Sequence, residues 1–373
     1  MAVLYVVVFH LSWGAPANLF QYIARLGWCG VDLFFVLSGF LITGILIDSK
    51  SSDRYFQNFV ERRLRRIAPL YCFTIAAMFW VAIPLAKRLG SPVSWTAIPS
   101  SEQLWYWLPL ANIRTAFAFF GAEPLGHFWS LAVEEQFYMV WPLIVLSCST
   151  VALGRISAAL MVLALVLRNL PFFLHAQSLV PDLFYRITPF HMDGLAAGAL
   201  IAALLRSPES TRRLKRFAAP GLAISFTLTA CLIIFTSQLQ MAERFVVRFS
   251  YTAFATTFGF LVLFARLYSG SPHFLAIFLR LAPLRSFGKY SYAIYIVHPI
   301  FAAQLRDAAR FWIPHGYWPI ISIPVGLTIS WCAGWCSWNF LEKRFNHSRK
   351  RRIDVASASP EPLDAVLSTD AAV

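Results

Sequence analysis

With 373 residues, 58% of them hydrophobic, 16% aromatic and only 13% charged, the chain lies outside the composition of a soluble globular domain. Apolar runs approaching the roughly 20 residues that a bilayer crossing needs recur along almost its whole length, and no polar stretch of domain size interrupts them. A closed strand barrel would read as alternating segments of about ten residues, a pattern that is absent, so the expected fold is all-α: a polytopic transmembrane helical bundle.

In chain order, about ten spans are expected, near 1–12, 29–47, 67–86, 126–148, 156–167, 189–205, 217–236, 249–265, 290–305 and 317–340. The formal charge of +14 would suit a nucleic-acid binder if the basic residues shared one polar surface, but they are spread over the connections. Of the 32 Lys and Arg, 22 fall on one set of alternate connections and 10 on the other. The positive-inside rule places the richer set in the cytoplasm, and both termini with it. The basic excess therefore reports topology, and nucleic acid is not an expected partner.

The first span, MAVLYVVVFHLSWG, is apolar from Met1, lacks the basic region of a signal peptide and is short for a bilayer of ~30 Å. Its helix is expected to begin upstream of Met1. At the other end, residues 346–373 turn basic and then small, polar and Pro-containing, which predicts a disordered cytoplasmic tail after a membrane domain over 1–345. The six cysteines form no C-x-x-C pair and have no histidine at zinc spacing. They read as buried small hydrophobes, and no metal is expected.

An ionisable side chain at the centre of a span costs ~2.5–3.5 kcal/mol on insertion scales, so such residues normally face a cavity or one another. Here they are numerous: His10 in the first span, Asp32 at the start of the second, His127, Glu134 and Glu135 in the fourth, His191 and Asp193 in the sixth, His298 in the ninth. Helical spacing puts His127, Ser130, Glu134 and Tyr138 on one stripe, and Ser291, Tyr295 and His298 on another. Under the topology above, six of these groups from five helices fall in the outer half of the membrane, which points to a shared polar chamber. Each alone also has a plainer reading, as a packing histidine, a helix cap or an interfacial group. Glu134 and Glu135, ~100° apart on a helix, are expected to diverge, one facing the chamber and the other a neighbouring helix.

A second cluster, Arg62, Arg63, Arg65 and Arg66 in FVERRLRRIAPLY, sits just before the third span. Topology or anionic headgroups would explain it, and so would a soluble polyphosphate, which planar guanidinium groups bind bidentately. Aromatic residues at 102–110 (EQLWYWLPL) suit interface anchoring or stacking on sugar rings.

Six segments, GVDLFFVLSGFLIT (30–43), RRLRRIAPLY (62–71), HFWSLAVEEQFY (127–138), HMDGLAAGAL (191–200), GKYSYAIYIVHPIF (288–301) and FLEKRF (340–345), together resemble the acyltransferase 3 family of integral membrane O-acyltransferases, the bacterial glycan O-acetyltransferase type. The motifs stand in family order over about 1–345. The resemblance implies an enzyme of the bacterial inner membrane. Such an enzyme moves an acyl group, most often acetyl, from cytoplasmic acyl-CoA, a cosubstrate rather than a bound cofactor, to a hydroxyl of an exported or cell-surface glycan. The family pairs the first-span histidine, here His10, with a basic residue about ten positions earlier, a place that falls before Met1. Many relatives carry a further extracytoplasmic domain, so a separate extracytoplasmic partner protein is a possible requirement.

Acyl transfer to an alcohol needs a base for the hydroxyl proton, donors for the oxyanion and a water-poor site. These needs assign His10 as base, Glu134 or Asp32 as its orienting carboxylate, and His127 as the second candidate for either role. Arg62, Arg63 and Arg66 are expected to hold the donor's phosphates. Tyr295, His298, His191 and Asp193 are candidates for the acceptor or the oxyanion. Two rival readings stand beside this: a proton-coupled transporter, which buried carboxylates and histidines also suit, and an acyltransferase acting on a small, macrolide-like acceptor.

Overall fold

The computed structural model describes residues 1–15, 19–90, 99–117, 125–174, 181–236, 245–313 and 316–345. Among the described residues the secondary structure is helical throughout, without strands. Ten helices carry the architecture: α1 (Ala2–Ser12), α2 (Gly30–Asp48), α3 (Tyr55–Ala76), α4 (Phe128–Ser147), α5 (Thr150–Phe173), α6 (Asp193–Leu204), α7 (Pro208–Thr236), α8 (Tyr251–Leu267), α9 (Ser291–Trp312) and α10 (Pro319–Ser337). Each expected span falls on one of them.

Six helical stretches among the described residues are long and apolar enough to cross a membrane: Phe20–Asp48, Tyr55–Arg88, Thr150–Phe173, Pro208–Ile234, Val246–Leu267 and Pro319–Phe345. Helices α1 and α6 are apolar but shorter. Helices α4 and α9 have the length, 20 and 22 residues, and their polar residues lower their hydropathy. The chain is a multi-pass membrane protein.

Backbone approach decides how these helices pack. Between apolar surfaces in lipid there is little hydrophobic drive, so close packing depends on small residues that let backbones meet. Helix α6 carries Gly194 and Gly198 four residues apart, and α2 carries Gly39. A Cβ at Gly198 would overlap the Val36 carbonyl oxygen, and one at Gly39 the Leu195 carbonyl oxygen. Gly194 meets Phe35, 2.9 Å from where its Cβ would lie. The same device brings α1 onto the start of α2, where a Cβ at Gly30 would come 2.6 Å from the Ala2 carbonyl oxygen. Helix α1 is thereby fixed between α2, α9 and α10, and its residues Val3, Val6, Val7, Phe9 and Leu11 enter the main core.

Three sequence expectations change here. The fifth span, expected as the short segment 156–167, is a helix of 24 residues, and Arg168, assigned to a connection, lies inside it and is fully buried. The basic run Arg62–Arg66 is not a connection either. It forms the amphipathic first half of α3, which continues past Pro69 and a π-helical turn at Ala77–Ala82 to Arg88. Of the six free cysteines only Cys29 is buried; Cys148 is half-buried and the other four lie on outer helix faces. The proposed tail, 346–373, lies outside the described residues.

Candidate active site

The two stripes read from helical spacing face each other. Tyr295 of α9 and Ser130 of α4 hydrogen-bond, oxygen to oxygen, at 2.6 Å, and both reach the His127 carbonyl oxygen, at 3.3 and 3.1 Å. The His127 ring lies 5.4 Å from the Tyr295 ring and 6.0 Å from that of His298, centroid to centroid. Its Nε2 is 3.1 Å from the Ile296 carbonyl oxygen, which can only accept.

Helix α1 adds the third histidine. His10 Nδ1 lies 3.0 Å from the Val6 carbonyl oxygen and 3.1 Å from His298 Nε2. The proton positions follow from what each partner can do. His298 Nδ1 is 2.9 Å from the Ile294 carbonyl oxygen and must donate to it, so in a neutral ring its Nε2 is an acceptor. His10 Nδ1 therefore faces two acceptors and carries the proton, which leaves the lone pair of His10 on Nε2. His298 is fully buried and His127 nearly so, whereas His10 is part-buried.

Beside this cluster a cavity of about 500 Å³ opens between the start of α1 and α2, α3, α4 and α9. Tyr295 and Ser130 line it, so their hydrogen bond stands between the cavity and the histidines. Val31, Phe34, Leu37 and Ile42 give it one apolar wall, and Arg63, Arg66, Glu134, Glu135 and Tyr138 supply charged and polar groups. Glu134 accepts hydrogen bonds from Ser38 at 2.7 Å and Tyr138 at 3.2 Å. The guanidinium of Arg63 sits 5.9 Å from the centres of the Phe59 and Tyr138 rings, within cation–π range of both.

A third polar group is sealed behind α2. His191 is fully buried, with Nδ1 2.6 Å from the Tyr185 carbonyl oxygen and Nε2 2.8 Å from Asp32 Oδ1. Beside it, the fully buried Arg168 donates to Asp193 at 2.8 Å, to Thr252 at 2.5 Å and to the Phe190 carbonyl oxygen. The Thr252 hydroxyl also donates to Asp193, at 2.8 Å. His191 stacks on Tyr251 with ring centres 4.5 Å apart. This group joins α2, α5, α6 and α8 where the glycine packing brings them together.

A family model described as an acyltransferase domain matches residues 1–336. The chain belongs to the acyltransferase 3 family. Among curated relatives, it is 30% identical over 308 residues to YrhL of Bacillus subtilis strain 168, named as a candidate peptidoglycan O-acetyltransferase, a match covering 80% of this chain and 46% of the relative. It is 28% identical over 316 residues to the peptidoglycan O-acetyltransferase OatA of Listeria monocytogenes (80% of this chain, 47% of the relative). It is also 28% identical over 309 residues to the O-acetyltransferase OatA of Staphylococcus aureus strain NCTC 8325 (80% and 48%). The chain thus spans about half the length of these relatives. No solved structure matches it.

On this acyltransferase domain the sequence-derived residues separate into three groups rather than one chamber. His10, His127, His298 and Tyr295 come together. Asp32, His191 and Asp193 form the sealed group with Arg168. Glu134, Arg63 and Arg66 belong to the cavity, and Arg62 is not among its lining residues. Neither carboxylate expected beside His10 bonds to it: Asp32 is taken by His191, and Glu134 by Ser38 and Tyr138. The side-chain partner on His10 Nδ1 is another imidazole, beside the Val6 carbonyl oxygen.

Two residues escaped the sequence reading. Arg168 lies five residues from the end of an apolar helix, where an arginine ordinarily reaches out to the interface, so the sequence carries no signal of its buried partner. Glu135, expected to diverge from Glu134, lines the same cavity, whose lining draws on α2, α3 and α9 as well as α4. The aromatic segment 102–110 packs inward at Tyr106, which is fully buried and receives a 2.9 Å hydrogen bond from Arg114.

Proposed function

We propose that this domain is an O-acetyltransferase that passes an acetyl group from acyl-CoA to a hydroxyl of a cell-surface glycan. It would sit in the bacterial inner membrane with about ten crossings and both described ends in the cytoplasm. The names of its relatives favour a peptidoglycan sugar as the acceptor. The observation that carries the reading is the His10–His298 contact, which leaves a lone pair on His10 Nε2 in a histidine cluster separated by the Tyr295–Ser130 hydrogen bond from a cavity with arginines on its wall.

In this reading the coenzyme's phosphates meet Arg63 and Arg66, and its arm runs along the apolar wall of α2 toward Tyr295 and Ser130. His10 Nε2 removes the acceptor's hydroxyl proton as the oxygen attacks the thioester carbonyl. The tetrahedral oxyanion collapses, the C–S bond breaks, and the coenzyme thiolate takes the proton back from the imidazolium. Protons balance and the ester is the product. Tyr295 and Ser130 are hydroxyl donors within the cavity wall for the developing oxyanion. The buried His298 keeps the reacting tautomer in place, as second partners of catalytic histidines generally do. The surrounding apolar core excludes water, which protects the thioester from hydrolysis.

The test is release of free coenzyme A by the purified protein in detergent, with acetyl-CoA and a soluble peptidoglycan fragment, followed by mass spectrometry of the fragment. Acceptor-dependent release with a gain of one acetyl group supports the proposal. Solute movement in proteoliposomes without coenzyme release would replace it with a transporter. Acetylation of a small macrolide but of no glycan would redirect the acceptor class.

A further inference from the structure

Helix α1 carries His10 on only 11 residues, and a helix so short and apolar has little of its own to fix its height or rotation among apolar neighbours. A slip of one residue moves each side chain by about 1.5 Å along the axis and about 100° around it. His10 would then leave His298. The main chain of α1 has to be held as well as the imidazole.

The carbonyl groups at the end of α1 show what holds it, because the last turn of a helix leaves its carbonyls open to other partners. Two are met locally: the Phe9 carbonyl oxygen accepts from the Ser12 hydroxyl at 3.3 Å, and the Ser12 carbonyl oxygen from the Ala15 N–H at 3.1 Å. The rest are met by α9 and α10. The fully buried Ser322 of α10 donates from Oγ to the Leu11 carbonyl oxygen at 3.2 Å. Arg306 of α9 approaches the His10 carbonyl oxygen at 3.5 Å, a long contact, and Arg310, one turn further along α9, donates to the Trp13 carbonyl oxygen. Arg310 is fitted to that place. Gly14 turns the chain at φ +78°, and a Cβ there would overlap Arg310 Nη2, so the guanidinium occupies the space of the missing side chain. The same guanidinium lies 4.7 Å from the centre of the buried Trp318 ring, and its Nη1 is 3.6 Å from Asp307. Cations at the C-terminal end of α1 also suit its dipole.

We infer that Arg310 is a positioning residue for acyl transfer: its clamp on the Trp13–Gly14 turn, with Ser322 beside it, sets the register of α1 in which the His10 imidazole meets His298. This rests on the reading of His10 as the base. Arg310 does not touch the reacting atoms. Helix α9 instead holds His10 twice, by the ring through His298 and by the main chain through Arg310. A simple helix cap would stabilise the fold and leave turnover per folded molecule unchanged, whereas a clamp on the base sets the rate.

The experiment is a double-mutant cycle on Arg310 and His298, read as coenzyme A release by the purified full chain in detergent with acetyl-CoA and a soluble peptidoglycan fragment. Arg310→Ala is expected to lower kcat about tenfold and to leave KM for both substrates within about twofold, because a small misplacement of the base costs rate rather than binding. Arg310→Lys, which keeps a cationic donor, should recover most of the loss. Since both side chains act through the orientation of one ring, Arg310→Ala combined with His298→Ala should fall little below His298→Ala alone. Losses that multiply overturn the inference. So does wild-type kcat in Arg310→Ala with a lowered unfolding temperature, the signature of a simple cap. Should Arg310→Ala not fold, Ser322→Ala, which removes one oxygen from the same clamp, takes its place in the cycle with the same opposed outcomes. His10→Ala separates the two levels of the argument: wild-type turnover there removes the base and the inference with it, whereas an inactive His10→Ala beside multiplying losses sinks the inference alone.

Discussion

His10 Nδ1 and His298 Nε2, 288 residues apart in sequence, lie 3.1 Å from each other. Because His298 is committed through Nδ1 to the Ile294 carbonyl oxygen, it can accept the His10 proton bond but not donate into it while neutral. One imidazole thus orients another, a role more often filled by a carboxylate.

His10→Ala should abolish acetyl transfer, while His298→Ala should lower kcat by about 10- to 100-fold with little change in KM for the acceptor. The second variant loses the group that fixes the reactive tautomer, not the base. Coenzyme A release under saturating donor measures both. A His298→Ala enzyme with wild-type kcat would show that Val6 alone suffices to orient His10.

Arg63→Ala and Arg66→Ala should raise KM for acetyl-CoA by about tenfold or more each, with smaller effects on kcat. Arg65→Ala should not, because Arg65 is paired along α3 with Glu61 at 2.5 Å and is not among the cavity-lining residues. Initial-rate kinetics over a range of acetyl-CoA would separate the three.

Breaking the sealed ion pair should destabilise the fold without touching the cavity. Arg168→Ala strands Asp193 in the interior, and removing one partner of a buried pair typically costs about 3–5 kcal/mol. Arg168→Met combined with Asp193→Leu removes both charges and should recover part of that loss. Thermal unfolding in detergent distinguishes them; equal melting of Arg168→Ala and wild type would count against a structural role.

Gly198→Ala should reduce the amount of folded protein in the membrane, since its Cβ would overlap the Val36 carbonyl oxygen and α2 and α6 would have to separate. Overpacking of this kind costs about 1–3 kcal/mol or more. Gly270→Ala, where no atom lies within 4 Å of the added Cβ, is the matched control. Size-exclusion profiles of the two variants provide the readout.

Sequence alone determined what local physics determines. Hydropathy placed the helices of the bundle, six stretches of which are long and apolar enough to cross a membrane, because an apolar run of that length has few other stable states near a bilayer. Spacing on α4 and α9 put Ser130 on the face of His127, and Tyr295 on that of His298, because the helical repeat is fixed. The six motifs named the family before any geometry was known.

Tertiary packing decided which polar groups meet. The registers of α1 against α2 and α10, and of α2 against α6, depend on glycine contacts between distant segments, and no periodicity encodes them. Those registers gave His10 to His298 rather than to Glu134 or Asp32, and gave Asp32 to His191. They also turned one expected chamber into a histidine cluster, a cavity and a sealed ion-pair group, and brought both glutamates to the same cavity. A helix states which residues share its face; only its neighbours determine what that face touches.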